Sequence, residues 1–485
     1  MEWTQEKRYL PYNKWDADTL LHLQAQAANS PAQMHYHLRP ISGLVNDPNG
    51  FSFFNGEYHL FYQSFPFGAV HGLKSWWHFK SKDLVHWENL GIGLEPDAKA
   101  DSHGAYSGSA KQIGDKLFIM YTGNHRTDDW ERIPYQIGVW MDKDNKLGEK
   151  EILFKNPDHI SEHFRDPQII EKDGKYYAIL GAQDEKEKHG HVDVWSSEDL
   201  KDWKELGFLD FSDKDMGYMI ECPNLVEVDG KNVLIFCPQG LDKSIADYDN
   251  LYPNMYVVAD QADLENHTLM NSSQLKNLDD GFDVYATQAF NAPNGKAYAV
   301  SWVGLPDISY PTDNENWANC LSQVKELTIE NGKLLQKPVD AIKSLRENEQ
   351  SFIDERELTT KAGQQYELKM KISAGQKGNL YLQANSDLSE NLKLSFDTEN
   401  GELVLDRSKA GEVSANYGTS RKIVLAKNKD LDLDIFVDHS LIEVFVNGGE
   451  HVLTGRFFTN QDSQKIVFDN ETSYQATLWQ MKTIL

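Results

Sequence analysis

Short apolar runs separated by glycine-containing turns recur along the first two-thirds of the chain. In five segments, a polar or acidic start leads into an apolar run, then a tight turn, then a second apolar run. Asn-Gly and Asp-Gly pairs between apolar runs indicate β-hairpins, because Gly tolerates the positive φ of a tight turn. The pattern therefore predicts five hairpins, which begin near Asp47, Ser107, Asp166, Glu221 and Tyr285.

The spacing of these hairpins predicts a β-propeller. Their starts lie about 60 residues apart, slightly more than the roughly 40–50 residues of common blades. A second repeat supports this prediction, because segments 81–91 and 197–207 share the pattern Ser-x-Asp-Leu-x-x-Trp-x-x-Leu-Gly. The alternative is a sandwich that contains five unrelated hairpins.

The segments that flank the repeat predict helices and a second β domain. A short helix is expected from Asp16 to Ala28, with Asp16 or Asp18 as its cap and Pro31 just beyond its end. Residues 337–346 indicate a connecting helix with Pro in its first turn. From about Ser351, alternating apolar and polar positions predict many short strands, which is typical of a β-sandwich.

The predicted fold class is all-β: a five-bladed β-propeller followed by a C-terminal β-sandwich. The predicted domains are an N-terminal helical extension over 1–34, a catalytic propeller over 35–336, a connecting helix over 337–350 and the sandwich over 351–485.

Charge and composition restrict the possible partners. The chain has 485 residues and a net charge of −27, and such an acidic surface repels nucleic acid and anionic membranes. The N-terminus lacks a basic stretch followed by an apolar core, so no signal peptide is expected. Three scattered cysteines are too few for a disulfide framework or a zinc site. We therefore expect a reduced, soluble, cytoplasmic protein, and the sequence gives no indication of its oligomeric state.

Three acidic residues occupy equivalent positions in the repeat. Aligned by their turns, Asp47, Asp166 and Glu221 begin the first strands of blades one, three and four. The first strands of a propeller line its central channel, so three carboxylates are expected to converge in one cavity. Two facing carboxyl groups, one a nucleophile and one a protonated acid, perform glycoside hydrolysis, and a third can stabilise the transition state.

Other interpretations of these acids are possible. Asp-Pro is a common turn dipeptide, and three carboxylates could hold calcium, although no EF-hand-like loop accompanies them. His159 and His163 have a spacing that would suit zinc on a helix, but they fit solvated loop positions better. We expect no metal and no cofactor.

Three motifs resemble the signatures of glycoside hydrolase family 32, which comprises invertases, fructanases and sucrose-6-phosphate hydrolases. They are Asn46-Asp47-Pro48-Asn49-Gly50, Arg165-Asp166-Pro167 and Glu221-Cys222-Pro223, in that order. The tail segment 438–447 is similar to the family's C-terminal sandwich, so the resemblance spans nearly the whole chain.

The resemblance implies a retaining β-fructofuranosidase that works through a covalent fructosyl-enzyme. It implies that Asp47 is the nucleophile, Glu221 the acid/base and Asp166 the stabiliser of the transition state. Residues that match positions expected to contact the sugar or hold the acids are Asn46, Gln63, Trp77, Ser107, Arg165, Tyr285 and Trp302. An adjacent guanidinium at Arg165 would also keep Asp166 ionised.

The expected substrate is sucrose 6-phosphate, and sucrose as well. Segment 121–136 resembles that of the family's intracellular sucrose-6-phosphate hydrolases, and Arg126 and Arg132, with His125 as a weaker candidate, could bind the phosphate. Alternatively, both arginines pair with the acids at 128, 129 and 131 in a solvated loop. Other possible functions are a plain invertase, a short-fructan hydrolase or transfructosylase, and a non-catalytic sugar-binding propeller.

Overall fold

The computed structural model describes residues 2–414 and 417–484. The N-terminal extension contains helix α1 (Gln5–Arg8), a 3-10 turn (Tyr12–Lys14) and helix α2 (Ala17–Ala28). The Asp16 carboxylate accepts a hydrogen bond from the Asp18 amide and so caps α2, which confirms the predicted helix. Helix α1 was not predicted, since four residues are too few to show a periodic pattern. Among the described residues, no helix is long and apolar enough to cross a membrane.

Residues 43–338 form five blades, as predicted. Blade 1 contains β1 (Gly43–Phe54), β2 (Glu57–Phe65), β3 (Ser75–Ser81) and β4 (Trp87–Leu94). After a 3-10 turn (Lys99–Asp101), blade 2 contains β5 (Ala105–Ile113), β6 (Lys116–Arg126), β7 (Arg132–Met141) and β8 (Glu151–Lys155). Blade 3 contains β9 (Ile160–Lys172), β10 (Lys175–Asp184), β11 (Gly190–Ser197) and β12 (Trp203–Phe208).

The last two blades carry additional short strands. Blade 4 contains β13 (Met219–Val228), β14 (Lys231–Gln239) and β15 (Met255–Ala259), then a separate hairpin of β16 (Gln261–Asp263) and β17 (Thr268–Met270), and finally β18 (Lys276–Asn277). Blade 5 contains β19 (Val284–Asn291), β20 (Ala297–Val303), a 3-10 turn (Pro311–Glu315), β21 (Trp317–Ala318), β22 (Cys320–Leu321), β23 (Lys325–Glu330) and β24 (Lys333–Pro338).

The ring closes through contacts between first strands. β1, β5, β9, β13 and β19 contact one another in that order, and β19 returns to β1. In addition, β21 leaves blade 5 and pairs in parallel with β1, joining Gly43 to Trp317 and Leu44 to Ala318. This pairing joins the segment that follows β20 of the last blade to the first blade.

The repeated motifs of the sequence form the same local structure. In both copies of the Ser-x-Asp-Leu motif, the Ser hydroxyl accepts hydrogen bonds from the Asp and Leu amides. The Leu residues adopt nearly the same positive φ, 69° at Leu84 and 66° at Leu200. The two motifs are therefore equivalent turns, placed between the third and fourth strands of blades 1 and 3.

The connecting helix is shorter than predicted. It is a 3-10 helix of six residues, Asp340–Leu345, whereas the predicted segment ran from 337 to 350. Strands occupy both flanks, with β24 before it and β25 (Arg346–Ile353) after it. Two apolar residues of the predicted segment, Ile342 and Leu345, are buried, and Leu345 ends the 3-10 helix.

The C-terminal part forms a sandwich of two antiparallel sheets in the described residues, as predicted. Its strands after β25 are β26 (Gln365–Ile372), β27 (Lys377–Ala384), β28 (Leu392–Asp397), β29 (Glu402–Asp406), β30 (Ser420–Val424), β31 (Leu431–Asp438), β32 (Leu441–Val446), β33 (His451–Arg456), β34 (Lys465–Phe468) and β35 (Tyr474–Met481). One sheet has the order β25-β35-β26-β31-β32-β33 and the other β30-β29-β28-β27-β34.

A buried ion triad joins the sandwich to the start of the propeller. The His37 ring contacts Asp438 through Nδ1 at 2.9 Å and Glu443 through Nε2 at 3.0 Å. Burial opposes the charged ring, but the hydrogen bonds to both carboxylates outweigh it and raise the pKa of His37 to about 9. Two acids of the tail motif, Asp438 and Glu443, thus bind the segment that precedes β1.

Candidate active site

A β-bulge at the same register in all five first strands shapes the axial cavity. In β13, for example, Glu221 pairs with Cys237 and Asn224 with Ile235, so the first strand has one extra residue. The equivalent extra residue occurs in β1, β5, β9 and β19. A bulge bends a strand and redirects its side chains. At three of these bulges a non-glycine residue has positive φ, namely Asp166, Cys222 and Ala286.

Asp47 lies in a closed ring of hydrogen bonds. The Asn46 amide nitrogen donates to Asp47 Oδ1 at 3.0 Å and to Gln63 Oε1 at 2.9 Å. Gln63 Nε2 donates to the Ser107 hydroxyl at 2.5 Å, and that hydroxyl donates to Asp47 Oδ2. Both carboxylate oxygens are therefore held in a fixed orientation. The sequence-predicted residues Asn46, Gln63 and Ser107 are all brought together here.

A buried lysine that the sequence analysis missed supports this ring. Lys74 Nζ donates to Asn46 Oδ1 at 2.6 Å, which fixes the orientation of the Asn46 amide. Burial lowers the pKa of Lys74 to about 7, although the Asp47 carboxylate opposes the shift. Burial raises the pKa of Asp47, and the charge of Glu221 adds to this, while Ser107, Asn46 and Lys74 lower it.

Asp166, on β9 of blade 3, lies close to Asp47 in the axial cavity. The Cys222 amide donates to Asp166 Oδ2 at 3.0 Å, and the Cys222 sulfur lies 3.6 Å from one oxygen of each aspartate. Burial raises the pKa of Asp166 to about 7; Arg165 lowers it, whereas the charges of Glu221 and Asp47 raise it. The charge of Arg165 acts on Asp166 in the expected direction, but burial outweighs it, and the guanidinium makes its hydrogen bonds to a different acid.

That acid is Glu221. Arg165 donates to Glu221 Oε1 through Nε at 2.9 Å and Nη2 at 2.7 Å. The other oxygen, Oε2, accepts hydrogen bonds from the Tyr285 hydroxyl at 2.6 Å and from Gln239 Nε2 at 2.8 Å. Burial opposes ionisation of Glu221, but the Arg165 charge and the bonds from Tyr285 and Arg165 outweigh it and lower its pKa.

Oxygen and sulfur atoms of Asp47, Asp166 and Cys222 lie within 4.8 Å of one another, a spacing that could suit a metal ion. Metals bind the thiolate, however, and burial together with the nearby aspartates raises the pKa of the Cys222 thiol well above its ordinary value. The carboxylate oxygens also already accept hydrogen bonds from Ser107 and the Cys222 amide. The donor set therefore does not fit a metal centre.

The two predicted tryptophans differ in position. The Trp302 ring lies 5.9 Å from the Tyr285 ring, beside the acids, and its buried Nε1 has no hydrogen-bond partner among the described residues. Trp77, in contrast, donates to Asn89 and packs in a hydrophobic cluster with Leu38. The prediction for Trp77 is wrong, because β3 is the third strand of its blade and its side chains lie between blades.

The predicted phosphate residues lie near this site. Burial lowers the pKa of Arg132, and the charge of Arg165 adds to this shift. Burial also lowers the pKa of His163, to about 4, and the charges of Arg165 and Arg132 add to that shift. Arg126 donates to the Trp130 carbonyl at 3.0 Å, and its guanidinium lies 5.4 Å from the centre of that ring. His125 Nδ1 shares a hydrogen bond with the Ser102 hydroxyl at 2.8 Å.

The alternative for the two arginines is not observed. In residues 2–414 and 417–484, neither Arg126 nor Arg132 has a carboxylate within 4.0 Å, so the acids of the same loop do not pair with them. The Nε atoms of both arginines are buried without a hydrogen-bond partner. The charge of Glu162 acts on Arg132 from beyond this distance.

The histidines considered for zinc are separated from each other. His159 is exposed and pairs with Glu205 at 2.9 Å. His163 was expected in a solvated loop, but it lies in β9 and its Nδ1 is 3.1 Å from Arg165 Nη1. The difference arises because β9 begins at Ile160, several residues before its acid.

Sequence reasoning missed the supporting residues of the site. Lys74 is a charged residue in an otherwise aromatic and apolar run, which is a signal that could have identified it. Gln239 carries no such signal, since its contact with Glu221 depends on the register between β13 and β14.

Comparison with known proteins agrees with this geometry. The family model described as "Glycosyl hydrolases family 32 N-terminal domain" matches residues 37–338, and "Glycosyl hydrolases family 32 C terminal" matches residues 334–482. The chain belongs to glycosyl hydrolases family 32. This membership makes it a glycosidase of the β-fructofuranosidase class, which confirms the predicted enzyme class, and the propeller and sandwich are the two parts that the family models describe.

Several family 32 proteins are similar over their full length. The sucrose-6-phosphate hydrolase of Pediococcus pentosaceus is 46% identical over 488 residues, which covers 99% of this chain and 97% of that protein. The solved structure of sucrose-6-phosphate hydrolase from Lactobacillus gasseri has a TM-score of 0.98, with 58% identity and full coverage of both chains. A Bombyx mori GH32 beta-fructofuranosidase variant solved with sucrose has a TM-score of 0.82 and 27% identity, covering 96% of this chain and 97% of that one.

Proposed function

We propose that this family 32 enzyme hydrolyses sucrose 6-phosphate, and also sucrose, by double displacement through a covalent fructosyl-enzyme. The observation that carries this proposal is the arrangement of Asp47 and Glu221 in one cavity. Hydrogen-bond donors hold both oxygens of Asp47 and fix the orientation of its carboxylate. Glu221 lies on another blade and has a separate set of hydrogen-bond donors. The similar sucrose-6-phosphate hydrolases support the choice of substrate.

In the first step, an Asp47 oxygen attacks the anomeric carbon of the fructosyl unit while Glu221 gives its proton to the leaving glucosyl oxygen. The bond from carbon to that oxygen breaks as the ester to Asp47 forms. In the second step, Glu221 takes a proton from water, and the resulting hydroxide displaces Asp47 and releases fructose. Two inversions leave the configuration unchanged.

Glu221 must be protonated for the first step, yet its partners favour the carboxylate. Its side chain is 17% exposed, so water still reaches it. A bound sugar would remove this water, and loss of hydration disfavours the charged form. We propose that substrate binding in this way raises the pKa of Glu221 toward its working value.

Asp166 would bind fructosyl hydroxyls and stabilise the positive charge that develops on the ring. The Cys222 sulfur lies 3.6 Å from one oxygen of Asp166 and from one oxygen of the nucleophile Asp47, which supports a position of Asp166 along the same face of the sugar. Trp302, with its buried unpartnered indole N–H, would donate a hydrogen bond to the same unit.

The phosphate would bind outside Glu221, where the glucosyl group projects. Burial lowers the pKa of Arg132, and the charges of Arg165 and Arg126 add to this shift; Arg126 is also the register partner of Arg132 across β6 and β7. A dianionic phosphate needs cationic partners in a protein of net charge −27, and a guanidinium can bind it with two parallel hydrogen bonds. His125 is a weaker candidate, because its Nδ1 already contacts Ser102.

Substrate preference tests the proposed function. We would measure kcat/KM for sucrose 6-phosphate and for sucrose in wild type, Arg126→Ala and Arg132→Ala. One charge-assisted contact is worth about 1.5–3 kcal/mol, so each variant should lose about 10- to 150-fold of the preference.

Two outcomes would contradict the proposal. If both variants keep the wild-type ratio, these arginines do not bind the phosphate. If the wild type itself does not prefer the phosphorylated sugar, the enzyme is a plain invertase. A matched control is Arg356→Ala, which removes a guanidinium in the sandwich that contacts the Phe468 carbonyl and should leave both values unchanged.

We also propose a cytoplasmic location, where sucrose phosphorylated during uptake would be available. The division at 34, 336 and 350 remains a proposal for the domain boundaries; the two family matches overlap at 334–338.

A further inference from the structure

The N-terminal segment lies outside the family match but contacts blade 1 near the acids. The match begins at residue 37, whereas α1 ends at Arg8. The Leu73 amide donates a hydrogen bond to the Arg8 carbonyl at 2.7 Å. A Cβ atom at position 72 would meet the same carbonyl at 2.7 Å, so only Gly72 permits this approach. Leu73 immediately precedes Lys74, which supports the ring around Asp47.

Aromatic contacts anchor the segment on both sides of Arg8. The Trp3 ring packs edge-on against Phe65 at 5.6 Å and fills the space beside Gly68. After α1, the Tyr12 hydroxyl donates to the Leu73 carbonyl at 2.8 Å. The backbone of Arg8 is therefore held in place against blade 1.

The residue after Arg8 joins the segment to the predicted phosphate residues. The Tyr9 ring lies 5.3 Å from the Trp130 ring, and Trp130 in turn contacts Arg126. Burial raises the pKa of Tyr9, whereas the charges of Arg126, Arg132 and Arg8 act to lower it. The contacts from Tyr9 to Trp130 and from Trp130 to Arg126 thus join the N-terminal segment to blade 2.

The charge of Arg8 also acts on His71, two residues before Leu73. The charge of Lys74 is the main cause that lowers the pKa of His71, followed by burial and the charge of Arg8. The His71 ring lies 6.4 Å from the Trp302 ring. The charge of Arg8 thus acts both on Tyr9, beside Trp130, and on His71, beside Trp302.

None of the three arginines makes an ion pair in the described residues, although the charge of Glu162 acts on Arg132. In the described parts of the chain, no carboxylate lies within 4.0 Å of Arg8, Arg126 or Arg132, and each has a buried Nε without a hydrogen-bond partner. The chain contains 75 Asp and Glu residues, so acidic partners are abundant elsewhere. Three unpaired cations near one another repel, and a bound anion relieves that repulsion.

We propose that Arg8 is a third cationic contact for the substrate phosphate, and that Trp3 and Tyr9 hold it in this subsite. The proposal rests on the proposed function, since it assigns a further specificity-determining residue to the same substrate. Arg126 and Arg132 would bind the phosphate from blade 2. Arg8 would bind it from the N-terminal segment that packs on blade 1, with Tyr9 between them.

Arg8→Gln tests the proposal, because it removes the guanidinium and keeps the backbone carbonyl that Leu73 requires. Lys7→Gln is the matched control, since it removes one positive charge from the same helix at the neighbouring position. For both variants and for Arg126→Ala we would measure kcat/KM for sucrose 6-phosphate and sucrose. We would also measure the inhibition constant of glucose 6-phosphate, which reports binding of the phosphorylated leaving group without catalysis.

We expect Arg8→Gln to lower the preference for sucrose 6-phosphate by about 10-fold and to raise the inhibition constant by a similar factor. Lys7→Gln should retain both wild-type values. Melting temperatures within about 2 °C of wild type would show that α1 remains attached, because loss of a stabilising element lowers the midpoint by more.

The outcomes separate this inference from the proposed function. If Arg126→Ala loses the preference but Arg8→Gln keeps it, the N-terminal segment is not part of the subsite. If Lys7→Gln changes both values as much as Arg8→Gln, the effect is one of general charge, and the inference is also wrong. If the wild type shows no preference and glucose 6-phosphate does not inhibit, the proposed function fails first.

Discussion

Removing the Tyr285 hydroxyl should raise the pKa of Glu221. In the structure this hydroxyl donates to Glu221 Oε2 at 2.6 Å and so stabilises the carboxylate. Burial is the largest influence on Glu221 and opposes ionisation, but Arg165 and Tyr285 outweigh it and lower the pKa. Tyr285→Phe removes one of these stabilising bonds while the ring remains packed against Trp302.

The size of the shift follows from the contacts that remain. A hydrogen bond to a charged group is worth about 1.5–3 kcal/mol, and one pKa unit corresponds to about 1.4 kcal/mol. Gln239 still donates to Oε2 at 2.8 Å and compensates part of the loss. We therefore expect an upward shift of about one unit.

The pH dependence of kcat/KM for sucrose measures this shift. Glu221 must be protonated in the free enzyme when it acts as the acid, so the alkaline limb of the profile reports its pKa. In Tyr285→Phe this limb should move to higher pH by about one unit. The matched control is Tyr252→Phe, since Tyr252 contacts Asp307 rather than Glu221. An alkaline limb that stays in place, or moves to lower pH, would refute the reasoning.

Three further predictions concern the acid/base, the metal and the ion triad. Glu221→Ala should form the fructosyl-enzyme only from substrates with good leaving groups, and added azide should accelerate the slow second step; absence of rescue in a folded variant would contradict the assignment. EDTA should leave activity unchanged, because the Asp47 and Asp166 oxygens already accept hydrogen bonds from Ser107 and the Cys222 amide, and loss of activity restored by calcium would revive the metal hypothesis. His37→Ala removes the ring that links two buried carboxylates and should cost about 3–5 kcal/mol of stability, whereas the exposed His86→Ala should cost little. The pKa of His37 in the folded protein is raised to about 9. The stabilisation by the charged ring is therefore complete below the pKa of His37 in the unfolded chain, and it is lost as the pH rises through 9. The melting temperatures of wild type and His37→Ala should converge above that pH.

The fold was predictable because turns and apolar runs are local signals. Pairs such as Asp173-Gly174 adopt positive φ at both residues and join the first two strands of a blade, as their sequence indicates. The short helix Asp340–Leu345 was overestimated, because apolar spacing does not separate one helical turn from a strand end. Parallel pairing of β21 with β1 joins residues far apart in sequence, so no local pattern could indicate it.

The candidate site was predictable where the signal lay in the first strands. The repeat predicts three acids on first strands, but they are not at equivalent positions, because Asp47 and Asp166 lie within their bulges and Glu221 precedes its bulge. The partner of Arg165 does not follow from the repeat. Its neighbour in sequence is Asp166, but alternation along β9 and the bulge direct the guanidinium to Glu221 on β13. Trp77 was assigned to the site by resemblance alone, and its place in the third strand of a blade excludes it.

Identification of the labelled residue is the most direct test of the proposed mechanism. Glu221→Ala would be mixed with a fructosyl donor that has a good leaving group, quenched in acid and digested, and the peptides would be analysed by mass spectrometry. Slow deglycosylation in this variant should let the intermediate accumulate. The account predicts one fructosyl unit on Asp47. A fructosyl unit on Asp166, or product formation with no labelled peptide, would contradict it.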